Sequence, residues 1–305
     1  MKTKKSRVRQ FAALAALCLA VLGSLALPQV LRGRRDQPLL SLSVMLRDTD
    51  SWTIARQGME QAAHELGAEL RFLIPAEAND SAGQEALLLR EIESGAAALV
   101  AAPADPASLS AALSDWLVVC PMVTVESPME GAAGVVAPDN EELGRQLAQA
   151  LLEDWDGGTV FLLDTAGSST GVAARLSAAE ETLSAAGVPL RRTEALPEED
   201  CRWVMAFEPS ATRRFAGETE SRGLALYGVG AATDITAQLE RGNIAAMAAW
   251  SDYAAGYLAV RRAVSAARGE AGTVSPLPFS ILRGEDIYEP ENQKLLFPVM
   301  SSSSR

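Results

Sequence analysis

The sequence predicts an α/β protein, a parallel sheet carrying helices on both faces. Three observations lead there. From Leu39 onward, short apolar runs alternate with amphipathic stretches of helical period, the pattern of repeated strand–helix units. Glycine and proline fall at the ends of these runs, where they punctuate structure. The 305 residues are 48% hydrophobic yet only 5% aromatic, which alanine-rich helices on a sheet explain better than a β-sandwich would. That length suits about two domains.

Leu39–Leu46 reads as the first strand. Trp52–Leu66 follows as a helix stopped by Gly67, glycine being suited to the left-handed residue just past a helix end. Ala68–Ile74 is a strand ended by Pro75, Ser81–Ser94 a helix stopped by Gly95, and Ala97–Ala102 a buried strand followed by Pro103. Pro106–Trp116 is a short helix with proline near its start. Val118–Val125 is the fourth strand.

A second series opens at Asp139-Asn140-Glu141-Glu142, a capping-box-like spacing whose acids suit the positive end of a helix. That helix runs to about Glu153. Thr159–Leu163 is a strand and Val172–Ala186 a helix stopped by Gly187. Pro189–Thr193 and Trp203–Phe207 are short strands; the stretch containing them is about one helix short of a full crossover between parallel strands. Leu224–Val229, Asp234–Arg241, Ala245–Trp250 and Asp252–Ala267 continue as strand, helix, strand and helix. Phe279–Leu282 is the last strand, and 300–305 is read as a disordered tail.

The formal net charge is −12, unevenly spread. Residues 1–35 hold eight basic side chains and no acid, so all 39 acidic residues lie in the body. A body that acidic is a poor polyanion binder, which disfavours nucleic acid as a partner. Residues 2–9 are strongly basic and precede an uncharged, mostly apolar run from Phe11 to Leu27, at the lower edge of a spanning length. Residues 1–35 thus fit a signal peptide or a membrane anchor. Leu27-Pro28 and the RGRR at 32–35 favour a retained anchor, and the charge bias turns the body outward. Either way the globular part is expected outside the cytoplasm, at the outer face of the cytoplasmic membrane.

The three cysteines, Cys18, Cys120 and Cys201, form no CxxC or Cys/His spacing, and His64 is the only histidine. That pattern predicts no metal site and no Cys–His nucleophile. Cys120 and Cys201 are read as buried or free thiols, with a disulfide between them as the alternative. The first strand–helix turn, RDTDSWT, has no glycine; GVGAAT at 228–233 lacks the third glycine of a dinucleotide loop; GSSTG at 167–171 is not GxSxG. No catalytic residues and no cofactor are expected, so the chain is not read as an enzyme.

Several segments taken in order are similar to one family. SVMLRDTDSWTIARQGMEQAAHELGAEL resembles an opening strand, aromatic-bearing loop and first helix, with Gly58 at a helix-glycine position. LVAAPADPASL, VVAPDNEELGRQLAQAL, AGSSTGVAARLSAAEETLSAAG and the tract Leu226–Glu270 resemble the segments that follow. Over about 39–299 the chain resembles type 1 periplasmic solute-binding proteins of the ribose- and galactose-binding kind, the substrate-binding components of ABC transporters.

The resemblance implies two doubly wound parallel-sheet lobes joined by a three-segment hinge, with crossings near Ser127, Trp250 and Ser275. The expected division is 38–126 plus 251–276 for the N-terminal lobe, and 127–250 plus 277–299 for the C-terminal lobe. It also implies capture of a small-molecule ligand without turnover. Partners would be a transporter permease or, for a tethered sensing module, a sensor kinase. A degenerate interaction protein without ligand is the remaining reading.

Matched positions carry the expected ligand contacts. Trp52 falls where the family stacks an aromatic on a sugar ring, with a core tryptophan as the plainer reading. Asp105 falls where the family has a carboxylate that accepts from hydroxyls, and it also suits a helix N-cap. Arg175 matches an arginine that donates to hydroxyl or ring oxygens, against a solvated helix arginine. Elsewhere the chain departs from the sugar readers: Glu208 stands for an Asn, Gly230 for an Asp and Trp250 for a Gln. A cleft of Trp52, Trp250 and Tyr253 with Asp105 and Glu208 nearby would suit an apolar, aromatic or cationic ligand.

Overall fold

The computed structural model describes residues 40–45, 52–77, 79–165, 167–196 and 201–297. The N-terminal segment 1–35 and the tail 300–305, with the expectations attached to them, lie outside the described residues. Among the described residues no helix is long and apolar enough to cross a membrane.

Two α/β lobes follow. The first sheet holds β1 (Leu40–Met45), β2 (Ala68–Leu73), β3 (Ala98–Ala101), β4 (Met122–Val125) and β5 (Gly134–Val136), all parallel, in the order β2-β1-β3-β4-β5. The second holds β6 (Val160–Leu163), β7 (Leu190–Thr193), β8 (Trp203–Ala206), β9 (Ala225–Val229), β10 (Ala246–Trp250) and β11 (Phe279–Leu282). Its order is β7-β6-β8-β9-β10-β11, parallel except for β11, which runs antiparallel to β10. The first five strands of each sheet thus share one order, with β11 an addition to the second. The central strands β3, β4, β6, β8 and β10 are buried along their whole length, as parallel strands covered on both faces must be.

The helices are α1 (Thr53–Leu66), α2 (Ser81–Glu93), α3 (Pro106–Leu113), α4 (Asn140–Asp154), α5 (Thr170–Ala185), α6 (Pro209–Arg222), α7 (Thr233–Glu240), α8 (Asp252–Ala267) and α9 (Pro290–Leu296). Aspartates cap three of them: Asp80 accepts from the Gly83 N–H, Asp105 from those of Ala107 and Ser108, and Asp139 from that of Glu142. On α1 the buried face is Ala55, Gly58, Met59, Ala62 and Ala63, and on α8 it is Ala255, Gly256, Ala259, Val260, Ala263 and Val264. These faces pack on each other, and α8 also covers β3, β4 and β5 of the first sheet. The approach is backbone-close: a Cβ on Gly58 would lie 2.0 Å from the Tyr253 carbonyl oxygen, and one on Gly256 the same 2.0 Å from that of Ala55. Only glycine fits either position, and the pair fixes α8 beside the start of α1.

The pairing of β5 with β4 corrects the first expected crossing: Gly134–Val136 belongs to the first sheet, so the chain leaves that lobe after Val136 rather than near Ser127. It returns at Ser251, where β10 gives way to α8. A third passage runs past Leu277, whose N–H donates to the Ala137 carbonyl, into β11.

Three further differences have local causes. Val118 and Val119, read as strand, are 88% and 71% exposed in a turn before β4. Helix α6 was not expected; its sequence, PSATRRFAGETESR, has too little apolar periodicity to announce itself. Between β7 and β8 the described residues contain no helix, whereas the matching β2-to-β3 connection carries α2. Cys120 is a buried free thiol, and Cys201 is buried in a separate apolar cluster. The Cys120 thiol donates to the Ala96 carbonyl at 3.2 Å, and burial pushes its pKa up to about 11, which keeps it protonated at neutral pH.

Candidate functional site

In open parallel sheets, ligands sit in the crevice beyond the carboxyl ends of the strands. Both sheets turn such ends toward one cavity of about 50 Å³ between the lobes. From the first lobe come Trp52 and Ala55 at the start of α1, Val125 and Glu126 at the end of β4, Val136 at the end of β5 with Pro138 beyond it, and Asp252 and Ala255 on the first turn of α8. The second lobe supplies Pro209 at the start of α6 and Trp250 at the end of β10.

Glu126 is the most constrained residue here. It is buried and has φ 71, one of two non-glycine residues with positive φ among those described. A left-handed backbone costs an ordinary side chain roughly 1–2 kcal/mol, so surrounding contacts must hold it. They do. Its N–H donates to the Val136 carbonyl at 3.0 Å, and its own carbonyl accepts from Asn140 Nδ2 at 2.9 Å. Its Oε1 accepts from an Arg175 guanidinium nitrogen at 3.0 Å. Against its carbonyl lies Gly171, where a Cβ would come within 2.3 Å.

Arg175, on α5, is fully buried. Besides Glu126 it donates to Asn140 Oδ1 at 2.7 Å and to the Phe207 carbonyl at 3.0 Å. Its guanidinium carbon lies 4.9 Å from the Trp250 ring centre, over one face of the indole, a favourable cation–π distance. The arginine is therefore built into the floor behind Trp250 and does not line the cavity. Ser127 and Ser169 add a hydroxyl pair at 3.0 Å, and the Gly171 N–H donates to the Ser127 Oγ at 3.0 Å. Because 127 lies between β4 and β5 while 169–171 open α5, these bonds and the Glu126–Arg175 pair tie lobe to lobe.

Asp252, half-buried beside Glu126, is the other acid of the cavity. Burial, and secondarily the Glu126 charge, push its carboxyl up to about 7.

The residues expected to bind ligand separate into three groups. Trp52 and Trp250 line the cavity. Arg175 and Glu208 stand behind the wall; Glu208 is buried, its Oε1 accepting from Thr165 Oγ1 at 2.6 Å, next to the lining Pro209. Asp105 and Tyr253 are not part of the lining. Asp105 uses its carboxylate to cap α3, at 3.1 and 3.0 Å from the Ala107 and Ser108 nitrogens. Tyr253 is half-buried and presents its backbone carbonyl to Gly58. Sequence reasoning missed Glu126 and Asp252. The one available signal was their position: an acid directly after a buried strand in TVESP, and another two residues past the crossing strand in AWSDY. Among the described residues no group of His, Cys, Asp or Glu could hold a metal ion.

The sequence matches the family model for a periplasmic binding protein domain over residues 41–271. The chain belongs to this family. Solved periplasmic binding proteins share its fold. A carbohydrate transporter solute-binding protein from Agrobacterium radiobacter, in complex with D-arabinose, superposes with TM-score 0.75 at 16% identity, covering 86% of this chain and 100% of that one. An ABC transporter solute-binding protein from Bacillus halodurans with bound myo-inositol gives 0.74 at 17% identity, covering 85% and 99%. The periplasmic component of an ABC-type sugar transport system from Hahella chejuensis gives 0.73 at 20%, covering 80% and 99%. Comparison with curated protein sequences returns no match. At these identities the structures establish the fold, and the ligand of this periplasmic binding protein has to be argued from its own cavity.

Proposed function

We propose that the protein captures a small solute between its two lobes, outside the cytoplasm, and delivers it to the permease of an ABC-type importer. The observation that carries this reading is the cavity itself: it opens where the carboxyl ends of both sheets converge, and both lobes contribute walls. A ligand there gains contacts to both halves only when they are together, so it favours the closed arrangement. Sugar-class solutes enter the reading through the relatives solved with D-arabinose and myo-inositol. Binding rather than turnover is supported by the buried, pair-forming role of Arg175 and Glu126 and by the family. Delivery from a tethered or a secreted form depends on residues 1–35.

The test is native mass spectrometry of the purified chain, looking for a co-purified small molecule, together with small-angle scattering on removal and return of that molecule. The expected result is a stoichiometric adduct whose removal expands the particle. A chain that carries nothing, and whose scattering no solute changes, would end the reading.

A further inference from the structure

The lining of the cavity is one-sided in its hydrogen-bonding chemistry. Among the described residues its polar side chains are the carboxylates of Glu126 and Asp252 and the indoles of Trp52 and Trp250; the rest are alanine, valine and proline. An ionised carboxylate only accepts, and an indole donates through a single N–H. A polyol brings two lone pairs on every hydroxyl; among the described lining residues, the side-chain donors that could meet them are the two indole N–H groups and the Asp252 carboxyl while it is protonated.

Charge is one-sided too. Arg175 balances Glu126 and lies over Trp250. Asp252 has no hydrogen-bond or ion-pair partner among the described residues. Among the described residues, the charges around it offer no cation. Glu126 faces it, and Glu208 lies one residue from the lining, held by Thr165. On α1, packed along α8, Arg56 pairs with Glu60, and Glu65 accepts from the Tyr257 hydroxyl. The cavity is also small. At about 50 Å³ it is well below the roughly 150 Å³ of an apolar cavity that admits benzene.

We infer that this cleft takes a small organic cation, an ammonium head of a few heavy atoms, seated on the Asp252 carboxylate beside the indoles of Trp52 and Trp250. The inference rests on the capture reading above and names its ligand class. Each part of the lining then has a use. The carboxylate supplies the counter-charge, the indoles attract a cation to their faces, and the alkyl walls exclude water, which strengthens both attractions. The bound cation favours the ionised carboxylate. Because the empty site holds that carboxyl near 7, binding at pH 6 displaces a proton to solvent, and affinity rises with pH up to about 7.

Isothermal titration of the full chain tests this, with methylammonium and tetramethylammonium chloride as cationic probes, D-arabinose and myo-inositol as neutral ones, and sodium chloride as the salt control. The expected result is binding of an ammonium probe over the salt control, with an uptake of close to one proton by buffer at pH 6, read from two buffers of different ionisation heat. Asp252→Asn abolishes that proton transfer and weakens the ammonium probe about 10-fold or more. Trp52→Ala also weakens it, and Trp52→Phe restores most of the loss, separating ring contact from folding damage.

Binding of D-arabinose or myo-inositol with no response to either ammonium probe overturns the cationic class and leaves the capture reading standing. Ammonium binding that ignores both Asp252→Asn and Trp52→Ala places the cation elsewhere and also overturns it. A chain that is empty in native mass spectrometry and binds no probe overturns both.

Discussion

On the second-lobe side of the cleft, Arg175 is wholly buried, yet its guanidinium meets Glu126, Asn140, the Phe207 carbonyl and the face of Trp250. On the first-lobe side, Asp252 is half-buried and among the described residues meets no counter-charge, only a second carboxylate. Burial is costly for an ion unless its partners replace water. The arginine network supplies those partners and reads as framework. The aspartate lacks them and reads as a place kept for something that arrives. Removing a framework charge should therefore destabilise the protein, while neutralising the waiting one should stabilise the empty form.

The largest effect follows from Arg175→Ala. It leaves Glu126 buried without its cation, and breaking a buried pair from one side costs about 3–5 kcal/mol. Equilibrium unfolding in urea should show that loss. Arg175→Lys should recover only part of it, because an ammonium cannot reach Glu126, Asn140 and the Phe207 carbonyl from one planar fork. An Arg175→Ala protein as stable as the parent would mean that Asp252 and Arg175 do not differ in the way described.

Next comes the scaffold that holds the acidic wall in place. Gly256→Ala puts a methyl group 2.0 Å from the Ala55 carbonyl oxygen, and overpacking of this kind costs about 1–3 kcal/mol. Since Ala55 and Ala255 both line the cavity, prising α1 from α8 should also weaken ligand capture. Thermal unfolding and probe titration on the same variant should move together.

Much of this fold was legible because its signals are local. Helix α1 announces itself through a buried stripe spaced three and four residues apart and a terminal Gly67 at φ 67. Strands β3, β8 and β10 are short uninterrupted apolar runs. Legibility failed where that signal is thin: β5 has three residues, and α6 buries Ala211, Phe215 and Ala216 on an otherwise polar helix. The cavity was legible only in part, for a different reason. Trp52 and Trp250 could be placed because indoles are few and sit at segment boundaries. Asp252 and Glu126 come together only because α8 returns to the first lobe after β10 and β5 extends the sheet beside β4. Those are long-range facts that no window of sequence contains. Asp105 had two readings in sequence, and the distances to Ala107 and Ser108 give its carboxylate a capping task.

The contrast between the two walls has a pH signature. In the folded, empty protein the Asp252 carboxyl is raised to about 7 from an ordinary 3.8. Between those values the folded state holds a proton that the unfolded state has released, so stability falls as pH rises through the window and levels off above 7. Asp252→Asn removes that slope. At pH 4 the variant and the parent should unfold alike, and at pH 8 the variant should be the more stable. The gain is the burial penalty removed, partly offset by the favourable charge lost at the N-terminus of α8. Such a gain raises the midpoint of thermal unfolding. A variant less stable than the parent at pH 8 would show that Asp252 has a structural partner and belongs with the framework.

The smallest expected effect separates Asp105 from the cavity. Asp105→Ala removes the acceptor for two N–H groups at the start of α3, a loss of about 1 kcal/mol. Proline at the first position of that helix limits the damage, since its missing N–H needs no acceptor. Because Asp105 is not part of the lining, whatever ligand native mass spectrometry reveals should bind the variant with unchanged affinity, while Asp105→Asn should restore stability by capping nearly as well. If affinity instead fell at least 10-fold in both variants, Asp105 would have to reach the ligand when the lobes rearrange. The acidic character of the cleft would then come from three first-lobe carboxylates rather than two.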